Sequence, residues 1–134
     1  MTFENMASPH KHQAVALRVA SGLSVFCHCS FKAYQYTFYM ILLRQFYRDC
    51  HVYGTIDFIF GDASAALFHN CDILVRRPMD HQANMITVQG RDHTESNKGV
   101  SIIGLRIREY LNTRVGVSTT NRVKMDWFSC DKEC

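Results

Sequence analysis

Three polar residues recur at one interval along the chain: Gln13, Gln35 and Asp57 follow each other at steps of 22 residues. Two uncharged amides beside a carboxylate make one of two things. They form a polar ladder closed by mutual hydrogen bonds, or a site for an oxygen-rich substrate, with amides as donors and a carboxylate as base or nucleophile. The spacing leaves both readings open. Other reactive residues suggest less. Cys27-His-Cys29 has the composition of a metal ligand group, but in a strand positions 27 and 29 point one way and His28 the other, so core cysteines are the expectation and no metal site is assigned. His10 and His12 flank Lys11 and would share a strand face, as a solvated rim or a proton-transfer pair. Arg76, Arg77 and Arg91 carry the planar cation that matches a carboxylate in a bidentate way, or they serve structural turns.

A 22-residue interval brings side chains together only if the backbone returns to the same place once per interval. Independent signs of such a return exist. Cys29-Ser-Phe31, Cys50-His-Val52 and Cys71-Asp-Ile73 share the form Cys-polar-apolar, and each starts 21 residues after the last. A weaker echo, Ile103-Gly-Leu105-Arg-Ile107, follows a turn-rich stretch, Arg77-Pro-Met-Asp-His-Gln-Ala-Asn84, that reads as an inserted loop. Between these marks lie short β-branched and aromatic runs: Thr55–Phe60, Met85–Val88 and Val100–Ile103. Only Ala14–Val19 could be argued as helix or strand. The expectation is all-β, with a period near 21 and several short strands per unit, which fits a parallel β-helix.

Composition narrows the classes. A chain of 134 residues, 47% hydrophobic, can bury one core and is not a disordered tail. A formal charge of +3, without a run of five or six like charges, gives no case for nucleic acid. The longest apolar run, Phe38–Leu43, is far shorter than the roughly 20 residues that span a bilayer, so no membrane partner is expected. No basic-then-apolar leader is visible at the N-terminus. Six cysteines suggest an oxidising compartment.

The words around the three polar residues carry more than their spacing. Lys11-His-Gln-Ala-Val-Ala-Leu-Arg18, Ala33-Tyr-Gln-Tyr-Thr-Phe-Tyr39, Arg44-Gln-Phe-Tyr-Arg-Asp-Cys50, Gly54-Thr-Ile-Asp-Phe-Ile-Phe-Gly61 and Asn84-Met-Ile-Thr-Val-Gln-Gly-Arg91 resemble, in order, the successive motifs of plant pectinesterases. The resemblance runs from Met1 to about Glu109 and implies a right-handed parallel β-helix, here a partial one of four to five coils truncated at both ends. It also implies hydrolysis of the methyl esters of galacturonan in the plant cell wall, without metal or organic cofactor. Asp57 matches the family's nucleophile, and Gln13 and Gln35 match the glutamines that hold the oxyanion. Gln89 and Arg91 fall in a motif near the sugar-binding cleft, and the resemblance places a disulfide between Cys50 and Cys71.

The sequence departs from the family pattern at two places. Tyr36 stands where the family has its acid–base aspartate, and a phenol, protonated at neutral pH, is a poor base for the second half-reaction. The Leu-Gly-Arg-Pro-Trp motif, which supplies an arginine that orients the nucleophile and a tryptophan for the sugar, is absent; Arg122 and Trp127 lie in a segment, 110–134, that matches nothing and is expected to be poorly ordered. Two functional expectations follow: a weak esterase, or a catalytically inactive remnant that at most binds polygalacturonate. A coil stack with open ends is further expected to self-associate.

Overall fold

Each unit of the repeat is cut into three short strands because bend-forming residues interrupt every apolar run. In the computed structural model, which describes residues 1–41, 43–61, 64–89 and 99–110, the first coil comprises β1 (Thr2–Glu4), β2 (Leu17–Val19) and β3 (Leu23–Cys27). The second holds β4 (Ser30–Lys32), β5 (Phe38–Met40) and β6 (Leu43–Arg48), and the third β7 (His51–Gly54), β8 (Ile59–Gly61) and β9 (Ser64–His69). The fourth comprises β10 (Asp72–Val75), β11 (Thr87–Gln89) and β12 (Gly99–Ile103), and β13 (Arg106–Glu109) opens a fifth. Every third strand stacks on the last, giving three parallel sheets in the orders β1-β4-β7-β10-β13, β2-β5-β8-β11 and β3-β6-β9-β12. This is the parallel β-helix that the repeat predicts.

Register accounts for the 21-residue period. Ser30 pairs with His51 and His51 with Asp72; Phe38 pairs with Ile59; Arg44 pairs with Ala65. The next step lengthens, Asp72 pairing with Arg106: the loop expected after Arg77 makes the Ile59–Thr87 step 28 residues, and further residues between β11 and β12 make the Ala65–Gly99 step 34. The weak echo is therefore real: Leu105-Arg106-Ile107 stands where Cys71-Asp72-Ile73 stood one coil earlier.

Alternation along each strand sends one set of side chains into the lumen. Phe31, Phe38, Tyr47, Val52, Phe58, Ile59, Phe68 and Ile73 are fully buried there. Rings stack from coil to coil, Phe26 on Tyr47 at 5.3 Å between centroids and Tyr47 on Phe68 at 4.6 Å. Such a ladder is stable only as a stack, since each ring's faces are covered by the coils above and below. The one hydroxyl in it is satisfied, Tyr47 donating to Gln45 Oε1 at 2.5 Å.

Two expectations change in detail. Pro9–Lys11 forms a single 3-10 turn, capped by the Ser8 side chain, and His12 is left-handed at φ 61°, so His10 and His12 do not share a strand face. Thr55–Phe60 is not one strand: the chain bends at Asp57, φ 46°, and only Ile59–Gly61 joins the sheet. Extended propensity loses at Asp57 because the coil must turn there.

Candidate active site

The bend that interrupts the predicted strand is where the reactive residues gather. Between the first sheet and the second the chain turns through 33–37 in the second coil and 55–58 in the third. Gln13 and Gln35 pair across the first and second coils as a parallel bridge, so two of the three residues at 22-residue spacing are direct neighbours. The third step differs. Lys32 pairs with Tyr53 and Phe38 with Ile59, both at a step of 21, so the coil equivalent of Asp57 is Tyr36, not Gln35. Backbone bonds agree: Tyr36 N–H donates to Ile56 O at 3.1 Å, and Phe38 N–H to Phe58 O at 2.8 Å, the same pattern two residues on. Tyr36 and Asp57 also share a left-handed backbone, φ 62° and 46°. The expected ladder of three is thus a glutamine pair beside a Tyr36–Asp57 pair. The extra residue in the 22-residue step belongs to the wider first coil, where Thr2 pairs with Ser30.

Local sequence explains the turn. Gly54 has no room for a side chain, because a Cβ there would run into the Phe58 ring. Phe58, fully buried, folds back over Gly54 and ties the backbone on the far side of Asp57 to the lumen. Thr37, also buried, donates its hydroxyl to Tyr53 O at 2.8 Å and fastens the second-coil turn to the third coil. Asp57 is consequently held between anchored neighbours, half-buried, with Oδ1 shielded from solvent. Gln35 and Tyr36 are half-buried beside it, and Gln13 is exposed.

An aromatic stripe borders this corner. On the outer face of the second sheet Tyr39 stacks on Phe60 at 4.5 Å with the rings 5° from parallel, and Tyr36 leans against Phe60 at 4.8 Å. Arg18 stands over Tyr39 at 6.0 Å. Flat rings beside amides and a carboxylate make a surface suited to a sugar ring, whose C–H faces pack on aromatics while its oxygens meet polar groups.

The remaining candidates separate. Gln89 ends β11, in register with Gly61 on the same sheet. Arg91 lies outside the described residues, as do Arg122, Trp127 and the segment beyond Tyr110. Arg76 is half-buried and turned onto the protein, donating to Ala33 O at 2.8 Å and stacking over Tyr34 at 3.7 Å, while Arg77 is exposed. Cys50 and Cys71 are buried free thiols one coil apart. The neighbouring Cys71 thiol, with burial, pushes the Cys50 thiol well above its ordinary range. Cys27 is exposed and Cys29 buried, because the left-handed His28 between them breaks the alternation assumed from the sequence. Sequence reading missed the aromatic stripe, although Tyr39 and Phe60 at a step of 21 were a visible signal.

Comparison with known proteins extends the picture. The Pectinesterase family profile matches residues 1–121, past the boundary expected near Glu109. A probable pectinesterase/pectinesterase inhibitor 36 of Arabidopsis thaliana is 71% identical over 108 residues, 81% of this chain and 21% of that relative. The solved pectin methylesterase from carrot superposes with a TM-score of 0.80 at 47% identity, covering 82% of this chain and 34% of that one. A pectin methylesterase crystallised in complex with a hexasaccharide superposes with a TM-score of 0.74 at 29% identity, over 83% of this chain and 38% of that one. The chain therefore spans about a fifth of the curated relative's length. With coil geometry, motif order and family profile in agreement over most of its residues, the chain belongs to the pectinesterase family.

Proposed function

We propose that the corner bearing Gln13, Gln35, Tyr36 and Asp57 is a site for methyl-esterified galacturonan, and that Asp57 is its nucleophile. In this reading an Asp57 carboxylate oxygen attacks the ester carbonyl carbon, and the tetrahedral oxyanion takes hydrogen bonds from the Gln13 and Gln35 amides. Collapse expels methoxide, which takes a proton from the Tyr36 phenol or from water and leaves as methanol; a water molecule then attacks the acyl–aspartate, releasing galacturonate, restoring the Asp57 carboxylate and returning the proton to the donor. Amide donors aimed at an oxyanion contribute about 10² in rate each, and a positioned acid about 10² to 10⁴. The observation that carries the reading is the stacking of Tyr36 and Asp57 in equivalent left-handed corners, beside the paired glutamines and the Tyr39–Phe60 stripe. The plant cell wall, where such esters occur, is the proposed place of action.

A second reading, binding without turnover, is favoured by one contact. The Tyr36 ring packs on Phe60 at 4.8 Å, which suits a wall of the cleft better than a mobile acid. Methanol release from highly esterified pectin by the full chain and by Asp57→Ala separates the two readings. A rate at least tenfold higher for the parent supports the esterase, whereas equal rates overturn it and leave binding. Tyr36→Asp is expected to raise methanol release by about 10²-fold by restoring a group able to act as acid and base. No gain from that change would place the limiting defect elsewhere in the site.

A further inference from the structure

We infer that Arg76 is a positioning residue, which holds the Gln35–Tyr36 corner from two coils away rather than meeting substrate itself. This rests on the site reading of the preceding subsection. Arg76 follows β10 in the fourth coil, yet its guanidinium reaches back to the second. Its Nη1 donates to Ala33 O at 2.8 Å, where the chain leaves β4 and turns into the corner. That carbonyl belongs to a residue only 1% exposed, so a protein donor is needed in place of water. The same guanidinium lies over the Tyr34 ring at 3.7 Å, with Tyr110 at 5.9 Å.

Arg76 is itself fixed on both sides. Its N–H donates to Gly54 O at 2.8 Å, and Asn84, with its amide oriented to donate, bonds Thr55 O at 3.1 Å and Arg76 O at 3.3 Å. One residue therefore clamps Ala33 and Tyr34 just before Gln35 and Tyr36, and through Gly54 it touches the turn that carries Asp57. A planar cation can stack and donate edge-on at once, which an ammonium cannot do. A substrate carboxylate would have to compete for a guanidinium already committed to both.

The test combines amide hydrogen exchange with kinetics on the full chain, comparing Arg76→Met, Arg76→Lys and, as a control for lost charge at an exposed arginine, Arg77→Met. The expected result is at least tenfold faster exchange of the Gln35 and Tyr36 amides in Arg76→Met. Amides on the far side of the coil, those of Arg44 in the third sheet and of Asp49 just beyond it, should be unchanged. Arg76→Lys should behave like Arg76→Met despite its charge, and Arg77→Met like the parent. In methanol release, kcat should fall about tenfold with KM within twofold. Unchanged exchange at Gln35 and Tyr36 overturns the proposal, as does a salt-dependent rise in KM with the corner still protected, which would make Arg76 a substrate contact. If the parent releases no methanol, the esterase reading fails by itself and exchange alone decides the role of Arg76. Should Arg76→Met not fold, Tyr34→Leu removes the ring platform and is expected to loosen the same two amides; no change there also overturns the proposal.

Discussion

Two corners of the coil impose the same backbone demand and meet it with different side chains. Where the third sheet hands the chain to the first, His28, Asp49, Asn70 and Gly104 are all left-handed, with φ between 51° and 64°. The Asp49 and Asn70 side chains turn toward one another: Asn70 donates to Asp49 Oδ1 at 2.5 Å, and Arg48 lies 3.3 Å from the Asp49 carboxylate. Where the first sheet hands the chain to the second, Tyr36 and Asp57 adopt the same conformation beside a glutamine pair and an aromatic stripe. A left-handed residue other than glycine costs about 1 to 2 kcal/mol, less for Asn and Asp, whose side chains bond locally. The first corner offsets that cost with its own ladder. In the second, the cost falls partly on Tyr36, a bulky residue with no such local bond to offer. Strain carried at this corner and relieved at the other accords with the site proposed here.

The contrast can be broken most severely at Phe58. Phe58→Ala should cost about 3 to 5 kcal/mol, since it empties a fully buried ring site and frees the turn under Asp57. Chemical denaturation would read the loss, and pectin binding should fall with it. Asn70→Ala is expected to cost about 1 kcal/mol through the lost bond to Asp49 and the left-handed penalty, and to leave pectin binding within twofold. An equal loss of binding in both variants would erase the distinction between the corners.

Acid should act on the structural face first. Asp49 is held below the ordinary carboxyl range by the Asn70 hydrogen bond, against some burial, and with help from Arg48, His28 and His69. For Asp72 burial pushes upward, but Arg106, donating at 2.6 Å, together with Arg108 and His51 brings the carboxyl net below its usual value. Depressed folded-state values mean stability that is complete above about pH 4, the unfolded carboxyl range, and lost as pH falls through the folded values. Thermal melts between pH 5 and 2.5 should therefore show a smaller loss for Asp72→Asn than for the parent; parallel curves would refute the assignment. The smallest effect concerns the lumen thiols. Cys50 and Cys71 should react with a thiol reagent only after unfolding, and oxidation should join them, because they already stand side by side.

Much of this architecture is written along the chain. The recurrence of Cys29, Cys50 and Cys71 set the coil length, because parallel stacking forces equivalent residues into register and a buried position tolerates few residue types. Short β-branched and aromatic runs such as Val100–Ile103 marked strands, and the motif order named the family. What local sequence could not settle was phase. A step of 22 joins Gln13 to Gln35, yet a step of 21 joins Tyr36 to Asp57, and a one-residue difference changes which side chains are neighbours. Pairing distant segments decides that phase, since it depends on how wide each coil is at each corner. The same holds for Arg76, whose partners Ala33 and Tyr34 lie 43 and 42 residues away and are brought to it only by the stacking of three coils.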